Sequence, residues 1–196
     1  MMWNKRLSWF FGAVALQVLV VAGVPAPKAY TMLTGRTILL KTAPVDPYSI
    51  MSGYYVTLGY DISRLEKTPG WSDTEEENET VYVVLKEGED GCWHAESVHD
   101  RWPAVPQEGM VIKGRRHWGG VTYGIESYYV PETARQTIEK DLRANQSRGR
   151  VENGHWVELT EAERQALDPI RVEVKVDRFG HAAVVRLLIG DRVYDY

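Results

Sequence analysis

Val81–Leu85 (VYVVL), Lys86–Gly91 (KEGEDG) and Cys92–His99 (CWHAESVH) read as strand, turn and strand, and they set the fold class. The first run is β-branched and aromatic, the composition that fits a pleated, half-buried surface. Gly88 and Gly91 can supply the positive φ angles that such a loop needs, so the two runs form an antiparallel hairpin.

The same signals recur on both sides. Upstream, Thr37–Lys41 (TILLK) is a short apolar strand, and the prolines of Ala43–Tyr48 forbid helix after it. Tyr54–Ile62 (YYVTLGYDI) alternates, with Tyr54, Val56, Leu58 and Tyr60 on one side and Tyr55, Thr57 and Gly59 on the other. The acidic stretch Lys67–Thr80 is an exposed loop. Downstream, Val111–Lys113 and Tyr123–Val130 are strands separated by the Gly/Arg-rich residues 114–120. Glu132–Ala144 is a helix with a narrow apolar face of Ala134, Ile138 and Leu142, fit to cover a sheet. Asn153-Gly154 marks a second hairpin, and Thr160 with Glu163 forms a capping box that starts a short helix before Pro169. Arg171–Asp177 (RVEVKVD) and His181–Ile189 (HAAVVRLLI) close the chain as a third hairpin. The expectation is an α+β domain, mainly antiparallel β with two short helices.

One segment stands outside that domain. Leu7–Val24 (LSWFFGAVALQVLVVAGV) is nearly charge-free, preceded by Lys5 and Arg6, and nothing later in the chain matches it. At 1.5 Å per residue it spans roughly 27 Å, about the hydrocarbon thickness of a bilayer. Basic residues before it favour a cytoplasmic N-terminus. The run exceeds the apolar core of a cleaved signal peptide, and Pro25 and Pro27 crowd the weak cleavage positions at Ala22 and Gly23, so it reads as a retained signal anchor. The organisation expected is residues 1–6 cytoplasmic, 7–30 a transmembrane helix and juxtamembrane segment, and 31–196 a periplasmic or cell-surface β-rich domain.

Charge narrows the partners. Beyond residue 30 lie all 27 acidic residues and 20 of the 23 Lys and Arg, a balance of −7. Such a body is a poor ligand for nucleic acid or an anionic surface. Cys92 is the only cysteine, so packing rather than an internal disulfide must hold the fold. Eleven Tyr and seven Trp against three Phe favour rings with a polar tip, suited to membrane interfaces and protein surfaces. Trp3, Trp9 and Tyr30 flank the anchor as interfacial rings do.

Gly53-Tyr54-Tyr55-Val56-Thr57-Leu58-Gly59-Tyr60, preceded by Lys41–Pro47, resembles the signature of the GDYXXLXY family of bacterial proteins, with Gly53, Tyr55, Leu58 and Tyr60 at the named positions. Tyr54 stands where the signature has aspartate. The resemblance extends to Tyr123–Glu132, which holds Glu126 and Tyr128, and to the closing hairpin. It implies a small membrane-anchored protein of unassigned function, of a kind often encoded beside multi-spanning membrane proteins; no cofactor is expected.

Chemistry has two candidate settings. Cys92, His94 and Glu96 are two apart, so on a strand they share a face that, with His99 or His117, suits zinc or copper; otherwise Trp93 and Ala95 face the core and these residues face water. Ser49 or Ser52 with Lys86 or Lys113 follows the order of elements in a membrane-tethered serine–lysine peptidase. Arg115, Arg116 and His117 form a basic turn able to meet an anion. The function expected is a non-catalytic accessory subunit of a membrane complex, contacting its partner through the tyrosine-rich strand; the alternative is a membrane-tethered hydrolase, serine–lysine or metal-dependent.

Overall fold

The computed structural model describes residues 3–43, 51–52, 55–71, 78–104, 108–146, 149–152, 155–160, 162–163 and 167–196. Helix α1 (Trp3–Gly23) opens the chain. Proline then removes a backbone donor and crowds the carbonyl four residues back, so the helical path cannot run straight through Pro25 and Pro27. A second helix, α2 (Ala26–Thr34), restarts with proline in its first turn, and Leu7–Gly23 and Ala26–Thr34 are bent by 48°. Among the described residues no single helix is long and apolar enough to cross a membrane; the bent pair taken together is, by length and composition.

Strand β1 (Arg36–Ala43) follows α2 and pairs antiparallel with β12 (Ile170–Val176), from Arg36 opposite Val176 to Lys41 opposite Arg171. In β12 every second residue is buried, the period-two pattern that its sequence carries. β13 (Ala182–Ile189) and β14 (Arg192–Tyr194) extend this sheet on one side and β4 (Gly59–Tyr60) on the other, in the order β14-β13-β12-β1-β4. A four-stranded sheet, β6-β5-β7-β8, contains β5 (Thr80–Glu87), β6 (Trp93–His99), β7 (Gly109–His117) and β8 (Gly120–Thr122). Side chains from both sheets, among them Ile38, Leu40, Val83, Leu85, Val172 and Val174, form one buried cluster. The smaller sheets are β2-β3-β9, made of β2 (Met51–Ser52), β3 (Tyr55–Thr57) and β9 (Ser127–Tyr129), and the pair β10 (Gly149–Glu152) with β11 (His155–Glu158).

Among the described residues all strand pairings are antiparallel and helices are few, so the class is α+β as expected. The hairpin of β5 and β6 forms with Gly91 at φ +71°. Gly88 serves differently: a Cβ there would sit 2.8 Å from the His94 ring. The helix α3 (Glu132–Gln146) runs slightly beyond the expected range and buries Ile138 and Leu142 completely. The Thr160–Glu163 capping box is formed, with Thr160 N donating to Glu163 Oε2 at 2.8 Å and Glu163 N to Thr160 Oγ1 at 3.3 Å. Asn153-Gly154 lies outside the described residues, although the strands flanking it pair.

Two strand expectations need correction. Val111–Lys113 is the middle of a longer strand, because residues 114–117 continue it as β7 and turn back into β8. Gly114 permits this close hairpin; a Cβ there would fall 2.3 Å from Val121 Cγ1. Tyr123–Val130 keeps only Ser127–Tyr129 as strand, because Gly124, at φ +77°, turns the chain.

Candidate functional site

The signature run is split between two sheets. Tyr55–Thr57 pairs with β9 and Gly59–Tyr60 with the end of β1, and at the changeover Leu58 N donates to Glu126 O at 2.7 Å. The alternation expected from the sequence holds, since Val56, Leu58 and Tyr60 are buried while Tyr55 is half exposed. Gly53 and Tyr54, including the position where tyrosine replaces aspartate, lie outside the described residues.

Buried phenols fasten this crossing. Tyr60 Oη donates to Ile125 O at 2.7 Å, and Tyr123 Oη donates to Ile62 O at 2.5 Å in the short helical turn after Tyr60. These reciprocal bonds tie the signature run to the 123–126 turn. Glu126 closes that turn, its Oε1 accepting from Tyr123 N at 2.5 Å. Burial, and then the Glu126 carboxylate, push both phenols well above the ordinary tyrosine range. Phenols so placed stay protonated and act as donors to carbonyls. Tyr128 does the same for the chain's end, donating to Tyr194 O at 3.0 Å and accepting from Tyr196 N at 3.1 Å. Tyr194 and Arg192 in turn both reach the Asp141 carboxylate on α3.

Of the residues singled out in this region, Leu58, Tyr60, Glu126 and Tyr128 hold the fold together, and Tyr55 is left for the surface. Its ring meets that of Tyr129 edge-on at 5.8 Å, and both are about half exposed.

Cys92, His94 and Glu96 are not brought to one point. Cys92 is buried ahead of β6, whereas His94 and Glu96 are exposed. Burial raises the Cys92 thiol, and the nearby Asp90 carboxylate adds to the shift. The His94 ring sits 3.0 Å from Asp90 Oδ1. Among the described residues no three His, Cys, Asp or Glu side chains converge on a metal-sized point. Ser49 and the Ser52 side chain lie outside the described residues, and Lys86 is exposed. In the basic turn, Arg116 is turned inward beneath the Trp71 ring at 4.9 Å and 3.3 Å from Asp100, leaving Arg115 and His117 outside.

A family model described as GDYXXLXY protein matches residues 17–187. The chain belongs to this family. The match runs from within α1 to within β13, so the family relationship covers the last part of α1, the other helices, the four-stranded sheet, all of the five-stranded sheet but its β14 edge, and the crossing just described. No curated protein and no solved structure matches.

One polar cluster was missed from sequence. Asp177, at the turn between β12 and β13, has a fully buried carboxylate. Its Oδ2 accepts from Thr31 Oγ1 of α2 at 2.7 Å, and its Oδ1 from Phe179 N at 2.8 Å and His181 N at 3.0 Å. Burial opposes its charge, but these donors outweigh that and hold the carboxyl below the usual range. The readable signal was helical spacing: Ala26, Ala29, Tyr30 and Leu33 recur at helical intervals between Pro25 and Gly35.

Proposed function

We propose that the chain is a membrane-anchored extracytoplasmic accessory protein, a non-catalytic subunit that assembles with a multi-spanning membrane protein. The observation that carries this reading is the state of α1. From Leu7 to Val24 every side chain is exposed, including Trp9 at 81% and Leu19 at 69%, so no part of the domain covers this apolar surface. An uncovered apolar surface of that extent calls for lipid or a partner. Lys5 and Arg6 ahead of it set the N-terminus in the cytoplasm and residues beyond α2 on the far side.

The signature supports a binding role. Among its described residues Tyr60 bonds to an internal carbonyl, and Tyr55 faces outward beside Tyr129 of β9, rings of the kind enriched where proteins meet. The pair is the contact surface for the membrane partner. Affinity purification of the full-length protein in mild detergent, followed by mass spectrometry, tests the reading. Stoichiometric recovery of a multi-spanning protein, lost on Tyr55→Ala/Tyr129→Ala, is the expected result; recovery of the chain alone contradicts it.

A further inference from the structure

Helix α2 docks on the body through Thr31 and leaves its apolar stripe outside. Thr31 is 1% exposed and bonded to Asp177, while Ala26, Ala29, Tyr30 and Leu33, which share a face, all lie outside, Leu33 at 84%. A helix packed onto a protein in water turns its apolar stripe inward. An apolar stripe turned outward in this way is suited to an apolar medium outside.

The apolar strip continues onto the body. The Tyr30 ring lies 6.0 Å from that of Phe179, in the turn between β12 and β13. A Cβ on the next residue, Gly180, would be 3.3 Å from Trp102, whose ring meets Tyr82 edge-on at 5.4 Å. Phe179 and Trp102 are about half exposed. Arg178, over the Phe179 ring at 4.7 Å, is exposed beside the strip. The strip is fixed in place: Asp177 binds α2, Lys175 Nζ donates to Met32 O at 2.5 Å, and Lys113 N donates to Gly180 O at 2.8 Å from the other sheet.

We propose that the outer face of α2, with Phe179 and Trp102, rests in the headgroup zone of the bilayer that α1 enters, so that α2 is an interfacial helix holding the β body at a fixed tilt. The proposal rests on the anchor reading above. Continuity selects lipid as the occupant, since α2 starts three residues after α1 ends and leaves it at a 48° bend, which carries its exposed face directly on from the apolar surface of α1. Aromatic rings with a flanking Arg are side chains that this zone favours, the rings at the acyl boundary and the cation at the phosphates.

The test uses the full-length chain in vesicles of phosphatidylcholine and phosphatidylglycerol with no other protein. Nitroxide labels are placed one at a time through Val14→Cys, Leu33→Cys, Phe179→Cys and Trp118→Cys, with Cys92→Ala. Trp118 is the control: it is 92% exposed on the β7–β8 turn, whose Gly120 abuts Ser63, near the end of β1 remote from α2. Collisions with oxygen, which concentrates in lipid, are compared with those of a water-soluble nickel chelate. The oxygen-to-nickel ratio at positions 33 and 179 is expected to exceed that at 118 several-fold, with position 14 higher still. Ratios at 33 and 179 equal to that at 118, with 14 in lipid, overturn the inference and leave the anchor standing. A ratio at 14 equal to that at 118 overturns the anchor itself. Should the chain labelled at 179 not fold, position 33 decides alone, because its side chain touches little of the body.

Discussion

Asp177→Ala should loosen the joint between α2 and the β body by an amount that the hydrogen bonds set. The carboxylate accepts from two backbone N–H groups and from the Thr31 hydroxyl. Thr31 keeps an alternative acceptor in Pro27 O at 3.1 Å, so it is not stranded. Phe179 N and His181 N lose their shared acceptor, and bonds to a charged group contribute about 1.5–3 kcal/mol each, partly recovered where water can enter. The expected loss is about 2–4 kcal/mol, near the upper range for single substitutions. Thr31→Val removes the hydroxyl, and with it the bond to Asp177 and the contact with Pro27 O, without disturbing the turn, and should cost about 1–2 kcal/mol. The assay is urea unfolding of the full-length protein in mild detergent, followed by far-UV circular dichroism. The double variant should be less destabilised than the sum of the singles, because both remove the same bond. Costs that add to within about 0.5 kcal/mol, or an Asp177→Ala midpoint equal to wild type, refute the coupling.

Stability should also fall with acid through this group. Its folded pKa is depressed, so its contribution is complete above the unfolded value of about 3.9 and is lost as pH falls through the lower folded value. Asp177→Asn should flatten the acid limb of a stability-versus-pH curve, and an unchanged limb speaks against it. Tyr60→Phe and Tyr123→Phe each break one bond of the signature crossing and should cost about 1 kcal/mol or more by urea unfolding. In an alkaline absorbance titration of the native protein these two phenols should ionise only as the fold is lost, above the ordinary tyrosine value of about 10. Gly70→Ala forces φ +86° on a residue whose Cβ would lie 2.1 Å from Val98 O, and should lower the thermal midpoint strongly; a neutral result would mean that the backbone there relaxes freely.

The hairpins were legible because period two and turn residues act locally. The alternation of β12 and the β5–β6 turn at Gly91 follow from neighbours in sequence alone. What hid was set by distant contacts. Tyr54–Ile62 reads as one strand, yet Leu58 changes sheets because the Glu126 carbonyl accepts its N–H. The strand expected over Tyr123–Val130 is interrupted because Gly124 adopts a positive φ and Glu126 caps the turn. No local sign in the sequence showed that the hydroxyls of Tyr60, Tyr123 and Tyr128 bond to distant backbone carbonyls. α2 was overlooked because its periodic residues follow the anchor directly and its docked face is a threonine, a residue that apolar periodicity does not detect.

Protease added to intact spheroplasts of an expressing cell, with immunodetection of both ends of the chain, tests the central claim most directly. The account predicts that residues beyond α2 are digested while a short N-terminal fragment containing α1 is protected until detergent is added. A chain that resists protease in intact spheroplasts and is degraded only after lysis contradicts it.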